Sequence, residues 1–476
     1  MVSLYAAYTL LSVIVGKSFS QKIDFSSNKN TSILITICVL AAICSTGIAL
    51  VQWTGSLSLG IYGAELPPGS RPFGNVAQPN HLNTLCFLGI CCLFWLYENN
   101  IIRKKFLWIC LIFLLIGMLL SQSRTGWLQI GFLFLFGSIQ YLRTHNRISI
   151  NWLLAICIIF SIGVISWHPI NEFLLLNPGR DISSQINPGA RPAYWLSMLD
   201  ALYQNPWWGY GWQQIGAAQQ NIALNHPPSA EYFEHSHNLI LDLMLWNGIP
   251  IGVLLAALFG IWLIKNIKSY KHPDAGWLLA AIMGLGIHGL LEFPLEYAYF
   301  LIPAGLFIGF IEASTPQTTR LVVIPYRVLV GSTAVIIALS VLVAHEWLTA
   351  ETDYRDLRLE SAGIGEVQTV NETAHFRLLT QLGAFLVFAR TEATPDMPAE
   401  QVEWMRLVAM RFGYPPVMFR YALAAGLHDN PLEATITLQR ICRIHGAQRC
   451  TEAQEGWKQL QQRFPQLQAV PGPISP

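Results

Sequence analysis

The chain has 476 residues, of which 53% are hydrophobic and only 12% are charged. Soluble domains usually carry about 25% charged residues, so this composition excludes an ordinary soluble protein. The net charge of +1 gives no indication of a nucleic-acid partner, and none is expected.

Apolar runs long enough to cross a bilayer recur through the first 345 residues. A membrane-spanning helix needs about 20 consecutive, mostly apolar residues. The sequence therefore predicts an all-α, polytopic bundle, followed by a water-soluble helical tail at 346–476. The predicted spans, about ten in number, lie at approximately 1–16, 33–52, 82–98, 106–122, 126–142, 152–168, 238–264, 275–291, 297–312 and 321–345.

The distribution of lysines predicts which side of the membrane each loop occupies. Every lysine except Lys458 falls in three loops, at 17–29, 104–105 and 265–271, which alternation places on one side. Cytoplasmic loops are enriched in lysine and arginine, so this side is predicted to be cytoplasmic. The lysine-free loop at about 169–236 is then predicted to lie outside the cytoplasm, as is the tail.

The same alternation has a consequence for the start of the chain. It places Met1 outside the cytoplasm, with no cleavable signal peptide to take it there. We therefore expect that spans preceding Met1 are missing from this reading frame. The alternative is that the first apolar run does not span.

Two predicted outer segments differ from ordinary connectors. Residues 71–81 (RPFGNVAQPNH) lie directly before a span, and the loop at 169–236 is far longer than the usual connection. Trp207 and Trp208 in that loop are predicted to anchor at the membrane interface, which is a common use of tryptophan.

The tail carries helical spacing at 399–413 and 431–444, and its Pro-rich end at 470–476 predicts disorder. If the tail lies in an oxidising periplasm, Cys442 and Cys450 are candidates for a disulfide. The alternative is two unrelated free thiols.

Four arginines lie on the predicted outer side before the tail: Arg71, Arg124, Arg180 and Arg191. Arg124 sits in a tight link between two spans, where it opposes the positive-inside bias. Snorkelling to the headgroups is one explanation. The other is an anion site, since a guanidinium binds phosphate through a planar fork of donors. Arg191 is the natural second clamp of such a site.

His237 begins the span that follows the long loop, so its ring is predicted at the membrane–water boundary. Histidine titrates near neutrality and often serves as a general base. His235 and Glu234 make a metal site an alternative, but no H-E-x-x-H or Cys/His spacing is present, and neither a metal nor another cofactor is predicted. A histidine that merely begins a helix is the structural alternative.

A third outer link contains Glu292, Glu296 and Tyr297. The carboxylates have the chemistry to orient a base or to bind a polar substrate. Solvated turn residues are the alternative, above all for Glu296. Taken together, the candidates describe an outward-facing site with two cations, one base and carboxylates, which suits a lipid-anchored phosphate or pyrophosphate substrate.

Several of these segments resemble the bacterial O-antigen ligase and polymerase superfamily. The closer similarity is to its protein O-oligosaccharyltransferase branch, the ligases that glycosylate pilins. The tail resembles the C-terminal domain found beside this ligase core in virulence-linked members. The similar segments are 74–81 (GNVAQPNH), 123–126 (SRTG), 191–195 (RPAYW), Pro206 with 209–211 (GYG), and 235–238 (HSHN) ahead of Gly248.

The resemblance implies a bacterial inner-membrane enzyme whose ligase domain, at 1–345, faces the periplasm. Such an enzyme transfers a glycan en bloc from undecaprenyl pyrophosphate to a Ser or Thr hydroxyl of a periplasmic protein such as a type IV pilin. Arg124 and Arg191 would hold the pyrophosphate, and His237 would take the acceptor's proton without a metal.

The resemblance also assigns residues to substrate binding. The family has a functional outer-loop tyrosine, for which both Phe293 and Tyr297 remain candidates in this sequence. The residues assigned to substrate binding are Gln78, Asn80, His81, His235, Glu292 and Tyr297.

Two other functions remain open. The same donor serves ligation of O-antigen to lipopolysaccharide core sugar and polymerisation of repeat units. A lipid or glycan transporter is disfavoured, because it predicts polar residues at mid-depth and inverted repeats, whereas the polar candidates gather at the outer ends of the spans.

Overall fold

The computed structural model describes residues 12–13, 29–56, 60, 65–67, 69–76, 78–176, 191–269, 273–314, 326–364 and 376–475. Apart from residues 12–13, the first predicted span lies outside these ranges, as does Arg180. The described residues form helices and no strand. The α-helices are α1 (Lys29–Thr54), α2 (Pro79–Glu98), α3 (Lys104–Ser121), α4 (Arg124–Thr144), α5 (Ile150–Phe173), α6 (Arg191–Gln204), α7 (Ile215–Ile222), α8 (Leu239–Asn247), α9 (Ile249–Ser269), α10 (Pro273–Gly289), α11 (Ala298–Ser314), α12 (Tyr326–Ser361), α13 (Thr380–Arg390), α14 (Ala399–Arg411), α15 (Pro415–Leu427) and α16 (Pro431–Arg463).

Six of these helices, α1, α2, α3, α5, α9 and α12, are long and apolar enough to cross a membrane. Two shorter apolar helices, α10 and α11, accompany them. The prediction of a polytopic helical membrane protein is therefore confirmed.

Helix α2 is the centre of the bundle, packed against α1, α3 and α10. The most apolar stretch of α2 is 94% buried, whereas that of α9 is only 11% buried. In a bilayer the exposed apolar side chains of α9 face lipid tails, so they need no protein partner. The central position of α2 fixes the residues at its start, which belong to the candidate site.

The single span predicted at 238–264 is wrong, because the chain breaks into α8 and α9 at Gly248. The backbone at 206–211 packs into this break: Tyr210 N donates to Leu245 O (2.7 Å) and Ile249 N donates to Pro206 O (2.7 Å). Gly248 has φ +80°, and a Cβ there would lie 2.1 Å from Trp207 O. The run stays apolar through the break, so hydropathy gave no signal of it.

The tail begins without a break in secondary structure. Helix α12 has 36 residues and continues past residue 345, where the predicted membrane and tail regions meet. Its C-terminal half is fixed to the end of α13 by Arg390, which binds Glu360 through Nε (3.1 Å) and Nη2 (3.2 Å). Helices α13 to α16 pack around a second core that includes Met405, Met418 and Trp457.

Cys442 and Cys450 form a disulfide within α16. Eight residues of an uninterrupted helix rise about 12 Å, yet these two Cα atoms are 4.4 Å apart. The helix is interrupted between them at Gly446, whose φ of 80° and ψ of 178° are not helical.

The prediction of disorder at 470–476 is wrong for residues 470–475. Val470 is fully buried, and its carbonyl accepts hydrogen bonds from Trp457 Nε1 (3.2 Å) and Gln461 Nε2 (2.9 Å). The side chain of Gln439 bonds the backbone of Ile474. Its Nε2 donates to Ile474 O (2.8 Å), and its Oε1 accepts from Ile474 N (3.0 Å). The Pro-rich composition predicted a segment without partners. Instead, the apolar residues and backbone groups of this segment contact α16.

Candidate active site

The sequence candidates meet at one end of the bundle, where several helices begin or turn. The contributing segments are the start of α2, the link before α4, the start of α6, the loop before α8, and the turn between α10 and α11. Each segment lies at a helix end, so its side chains reach beyond the apolar stretches of the bundle.

Glu292, in the turn between α10 and α11, is the centre of this cluster and is only 5% exposed. Its Oε2 lies 2.9 Å from His237 Nδ1. Its Oε1 binds Arg191 Nη2 and accepts a hydrogen bond from Asn80 Nδ2 at 3.1 Å. The Glu292 carboxylate therefore binds residues from three other parts of the sequence.

The charge state of Glu292 follows from these contacts. Burial alone would raise its pKa, but the hydrogen bond with His237 and the charge of Arg191 outweigh burial and lower the pKa to about 2. The carboxylate is therefore ionised at neutral pH. An ionised carboxylate only accepts hydrogen bonds, so His237 Nδ1 carries a proton.

His237 is held in an unusual conformation by its neighbours. Its φ of 57° lies in the left-handed region, which costs a residue with a side chain on the order of 1 kcal/mol or more. Trp195 Nε1 donates to Ser236 O (2.8 Å), and Ser236 N donates to Asp242 Oδ1 (2.8 Å), so the preceding residue is fixed from two sides. Among the described residues, none bonds His237 Nε2, which is the nitrogen free to accept a proton.

Arg191 keeps donors for an anion while it binds Glu292. A guanidinium has five N–H donors, and only Nη2 is engaged within the described part of the chain. Its side chain is 27% exposed, so the remaining donors reach the surface of the site.

Asn80 connects the cluster to the link that contains Arg124. Ser123 Oγ donates to Asn80 Oδ1 at 2.8 Å, and Arg124, which is partly exposed, is the first residue of α4. Arg71 donates to Ser121 O (3.1 Å) and Gln122 O (3.2 Å), so it secures the same link from the other side.

His81 lies below the cluster and is fully buried. Its Nδ1 is 2.7 Å from the Tyr299 hydroxyl, and its Nε2 is 3.0 Å from Gln78 Nε2. The Tyr297 ring meets the His81 ring edge-on, with 4.4 Å between centroids. Tyr299 was missed by the sequence reasoning; its only signal is a hydroxyl in the first turn of an apolar helix.

Phe293 and Tyr297, the two candidates for the family's outer-loop tyrosine, have different neighbours. The Phe293 ring stacks on His235 (4.3 Å) and lies 5.3 Å from the His237 ring. Tyr297 packs against His81 instead. Of these two candidates, Phe293 is the one that contacts the loop carrying His235 and His237.

His235 is a poor candidate for a base. Burial, followed by the charge of His237, lowers its pKa to about 4. Its Nδ1 is 3.9 Å from Asp242 Oδ2, which is too long for a hydrogen bond. The residues that the structure describes include no group of three or more His, Cys, Asp or Glu placed to hold a metal ion.

A cavity of about 300 Å³ adjoins Glu292. It lies between the turn, α8 and the residues that follow α6, and its walls are mainly apolar. Its larger lining side chains are Trp212, Trp246, Phe293 and Leu301.

Two family models match segments of this chain. The model of the family described as O-antigen ligase matches residues 109–256, and that described as virulence factor membrane-bound polymerase, C-terminal, matches residues 275–460. The first range includes Arg124, Arg191 and His237, and the second includes Glu292.

Two curated relatives are both named O-oligosaccharyltransferases. The chain is 30% identical over 329 residues to the General O-oligosaccharyltransferase of Acinetobacter baylyi, covering 66% of this chain and 57% of that protein. It is 32% identical over 253 residues to the ComP-specific O-oligosaccharyltransferase of the same organism, covering 51% and 44%. The chain spans about half the length of these curated relatives.

The fold is that of a multi-pass helical membrane protein with a polar site at one end of its bundle. The chain matches the O-antigen ligase family model over residues 109–256 and is similar to the O-oligosaccharyltransferases. The predicted resemblance is confirmed at this level of similarity.

Proposed function

We propose that this protein transfers a glycan from undecaprenyl pyrophosphate to a Ser or Thr hydroxyl of a protein outside the cytoplasm. The observation that carries the proposal is the buried Glu292 carboxylate, which binds a candidate base, His237, and a candidate phosphate ligand, Arg191. The names of both relatives support a protein acceptor.

In the proposed reaction His237 acts as the general base. The acceptor hydroxyl gives its proton to His237 Nε2 while its oxygen attacks the anomeric carbon of the glycan. The bond between that carbon and the pyrophosphate oxygen breaks, and configuration inverts. Glu292 holds Nδ1 and stabilises the imidazolium that forms. General base catalysis of this kind typically contributes about 10²–10⁴-fold.

The arginines would stabilise the leaving group. Negative charge develops on the pyrophosphate oxygens as the bond breaks, and fixed donors at that position lower the barrier. Arg191 offers the donors that Glu292 does not use, and Arg124 is assigned as the second clamp. The substrate-binding roles of Gln78, Asn80, His81, His235 and Tyr297 remain predictions. For Asn80 and His81 the contacts described above favour positioning of the site.

The charge pattern supports a periplasmic site in the inner membrane. Lys104 and Lys105 are the first residues of α3, and the link at 122–123 follows its last residue. Eighteen helical residues span about 27 Å, so the site and these lysines lie at opposite ends of the helix. By the positive-inside rule, this separation supports a site outside the cytoplasm.

The direct test is His237→Ala, assayed with a lipid-linked glycan and a co-expressed type IV pilin at matched protein expression. We expect a loss of glycosylated pilin of at least about 10²-fold, because the general base is removed. His226→Ala is the matched control, since His226 lies in the same loop but pairs with Asp200 (3.0 Å) away from Glu292.

Full activity in His237→Ala would remove the proposed base. A wild-type protein that moves lipid-linked glycan but never releases free undecaprenyl pyrophosphate would favour the transporter. A deletion strain that keeps glycosylated pilin but loses O-antigen from its lipopolysaccharide would favour ligation to the core sugar.

A further inference from the structure

A second, larger cavity lies in the C-terminal region, away from Glu292. Its volume is about 660 Å³, and it is bounded by the C-terminal half of α12, by α13, by the link at 412–414 and by α15. We call it the C-terminal groove. Its lining residues are Trp347, Ala350, Glu351, Tyr354, Leu382, Phe385, Phe388, Ala389, Phe412, Tyr414, Pro416, Val417 and Arg420.

The walls of the C-terminal groove are aromatic and aliphatic. Phe385 packs against Phe412 (5.0 Å) and Tyr354 (6.4 Å), which makes a continuous aromatic surface. Its one cation, Arg420, is already engaged, because Nη1 donates to the carbonyls of Phe388 (2.9 Å) and Thr391 (3.3 Å) at the end of α13. The lining therefore suits apolar side chains and offers little to a phosphate group.

The groove is also poorly placed for the hydrocarbon of the bilayer. Its α12 wall, from Trp347 to Tyr354, lies in the half of that helix that carries all of its charged residues but Arg327. The charged residues of this half are Glu346, Glu351, Asp353, Arg355, Asp356, Arg358 and Glu360. Charged side chains at this density are excluded from a bilayer core, so the wall lies beyond it.

The C-terminal groove is directly connected to the candidate active site. Tyr414, which lines the groove, donates from its hydroxyl to Glu234 Oε1 at 2.8 Å. Glu234 precedes His237 by three residues, and three residues of extended chain span at most about 11 Å. A polypeptide lying in the groove would thus have its neighbouring residues within reach of His237.

We propose that the C-terminal groove binds the acceptor polypeptide through apolar or aromatic side chains that flank the modified Ser or Thr. This inference rests on the proposed function, in which the acceptor is a protein. The groove supplies affinity for the acceptor, and the cluster around Glu292 supplies the chemistry. A pocket of this size is within the usual range for binding sites, roughly 300–1,000 Å³.

The test separates acceptor binding from chemistry. Ala389→Trp and Leu382→Trp each fill the groove, whereas Leu407→Trp, on the exposed face of α14, is the matched control. With the same pilin and lipid-linked glycan, we expect each filling variant to raise the KM for pilin by roughly tenfold or more, the scale of losing one binding anchor. Release of free glycan by hydrolysis of the donor, in the absence of pilin, should stay at the wild-type rate.

Each outcome decides the proposal. An unchanged KM in both filling variants would overturn it, and so would equal losses of pilin transfer and donor hydrolysis. His237→Ala is distinguished from the groove-filling variants because it lowers kcat for pilin transfer, whereas they raise KM. A photo-crosslinking residue in place of Pro416, on the rim, gives a readout that does not depend on turnover. Crosslinks to pilin support the proposal. Crosslinks to lipid overturn it, and so do pilin crosslinks no stronger than those from the same photo-crosslinking residue at Leu407.

Discussion

At the scale of single residues, the molecule is organised around one buried charge. Glu292 would be costly to bury alone, since an isolated ionised carboxylate loses its hydration. Arg191, His237 and Asn80 replace that hydration with three polar contacts. The contact with His237 also fixes which of its nitrogens is free. The contacts that stabilise the buried charge of Glu292 therefore also prepare His237 for the proposed chemistry.

The first residue-scale prediction concerns Glu292→Gln. The amide keeps the shape of the side chain but loses the negative charge that orients and stabilises His237. We expect glycosylation to fall by about 10²–10⁴-fold, the range typical of general base catalysis. Glu296→Gln, in the same turn and bonded to Gln213, is the control and should keep most activity. Equal effects of the two variants would contradict the assigned role.

The lowered pKa of Glu292 also makes the stability of the protein depend on pH, and the same substitution tests this dependence. Because the pKa of Glu292 is lowered to about 2 in the folded protein, its contacts stabilise the fold above the unfolded-state pKa, about 4.3. That contribution is lost as the pH falls from there towards 2. The difference in Tm between wild type and Glu292→Gln should shrink as the pH falls from about 4 towards 2. A difference that grows over that range would contradict the assignment.

At the scale of elements, the break between α8 and α9 sets where His237 lies. Asn238 caps α8 by accepting from Ile240 N (3.1 Å) and Leu241 N (3.2 Å), and the backbone at 206–211 closes the other end of this short helix. The residues around Gly209 and Gly248 pack too closely for a side chain. A continuous helix would have left the loop before α8 without this support.

The element-scale prediction is that Gly248→Ala destabilises the protein. A Cβ would lie 2.1 Å from Trp207 O, and the left-handed φ of 80° adds strain. We expect a loss of at least about 1–3 kcal/mol, measured as a lower Tm in detergent. Gly260→Ala, in α9 with nothing within 4 Å of the added Cβ, is the matched control and should be neutral or slightly stabilising. A similar Tm for both variants would argue against the packed break.

At the scale of the whole molecule, the C-terminal region is joined to the loop that carries the site. Gln220 of α7 donates to Ala409 O (3.2 Å) and Met410 O (3.0 Å) at the end of α14. Gly413 N donates to the Tyr232 hydroxyl (3.3 Å), and Ser229 N donates to Arg443 O (3.0 Å). These bonds hold the C-terminal groove in a fixed place relative to His237.

We expect Gln220→Leu to loosen this junction, because it leaves the buried carbonyl of Ala409 and the partly buried carbonyl of Met410 without this donor. An unsatisfied buried polar group costs about 1–3 kcal/mol. Hydrogen exchange should increase at residues 405–413, and pilin transfer should fall. Gln204→Leu, at the exposed C-terminal end of α6, serves as the control. Unchanged exchange at 405–413 would show that the junction does not depend on Gln220.

Local chemistry in the sequence was enough to predict much of this protein. The apolar runs predicted the membrane helices because span length depends on bilayer thickness, not on the partner of each helix. His237, Arg191 and Glu292 were candidates because polar residues at the ends of apolar runs are few. Asn80 was a candidate through the family resemblance, which the segments of His237 and Arg191 also supported.

Tertiary structure decided what depends on contacts between distant segments. The break at Gly248 was invisible to hydropathy, since the backbone at 206–211 causes it and no polar residue marks it. The central role of Glu292, the fixed proton on His237 Nδ1 and the C-terminal groove likewise depend on segments far apart in the chain. Sequence patterns report the solvent that each segment meets, whereas only packing determines which segments meet one another.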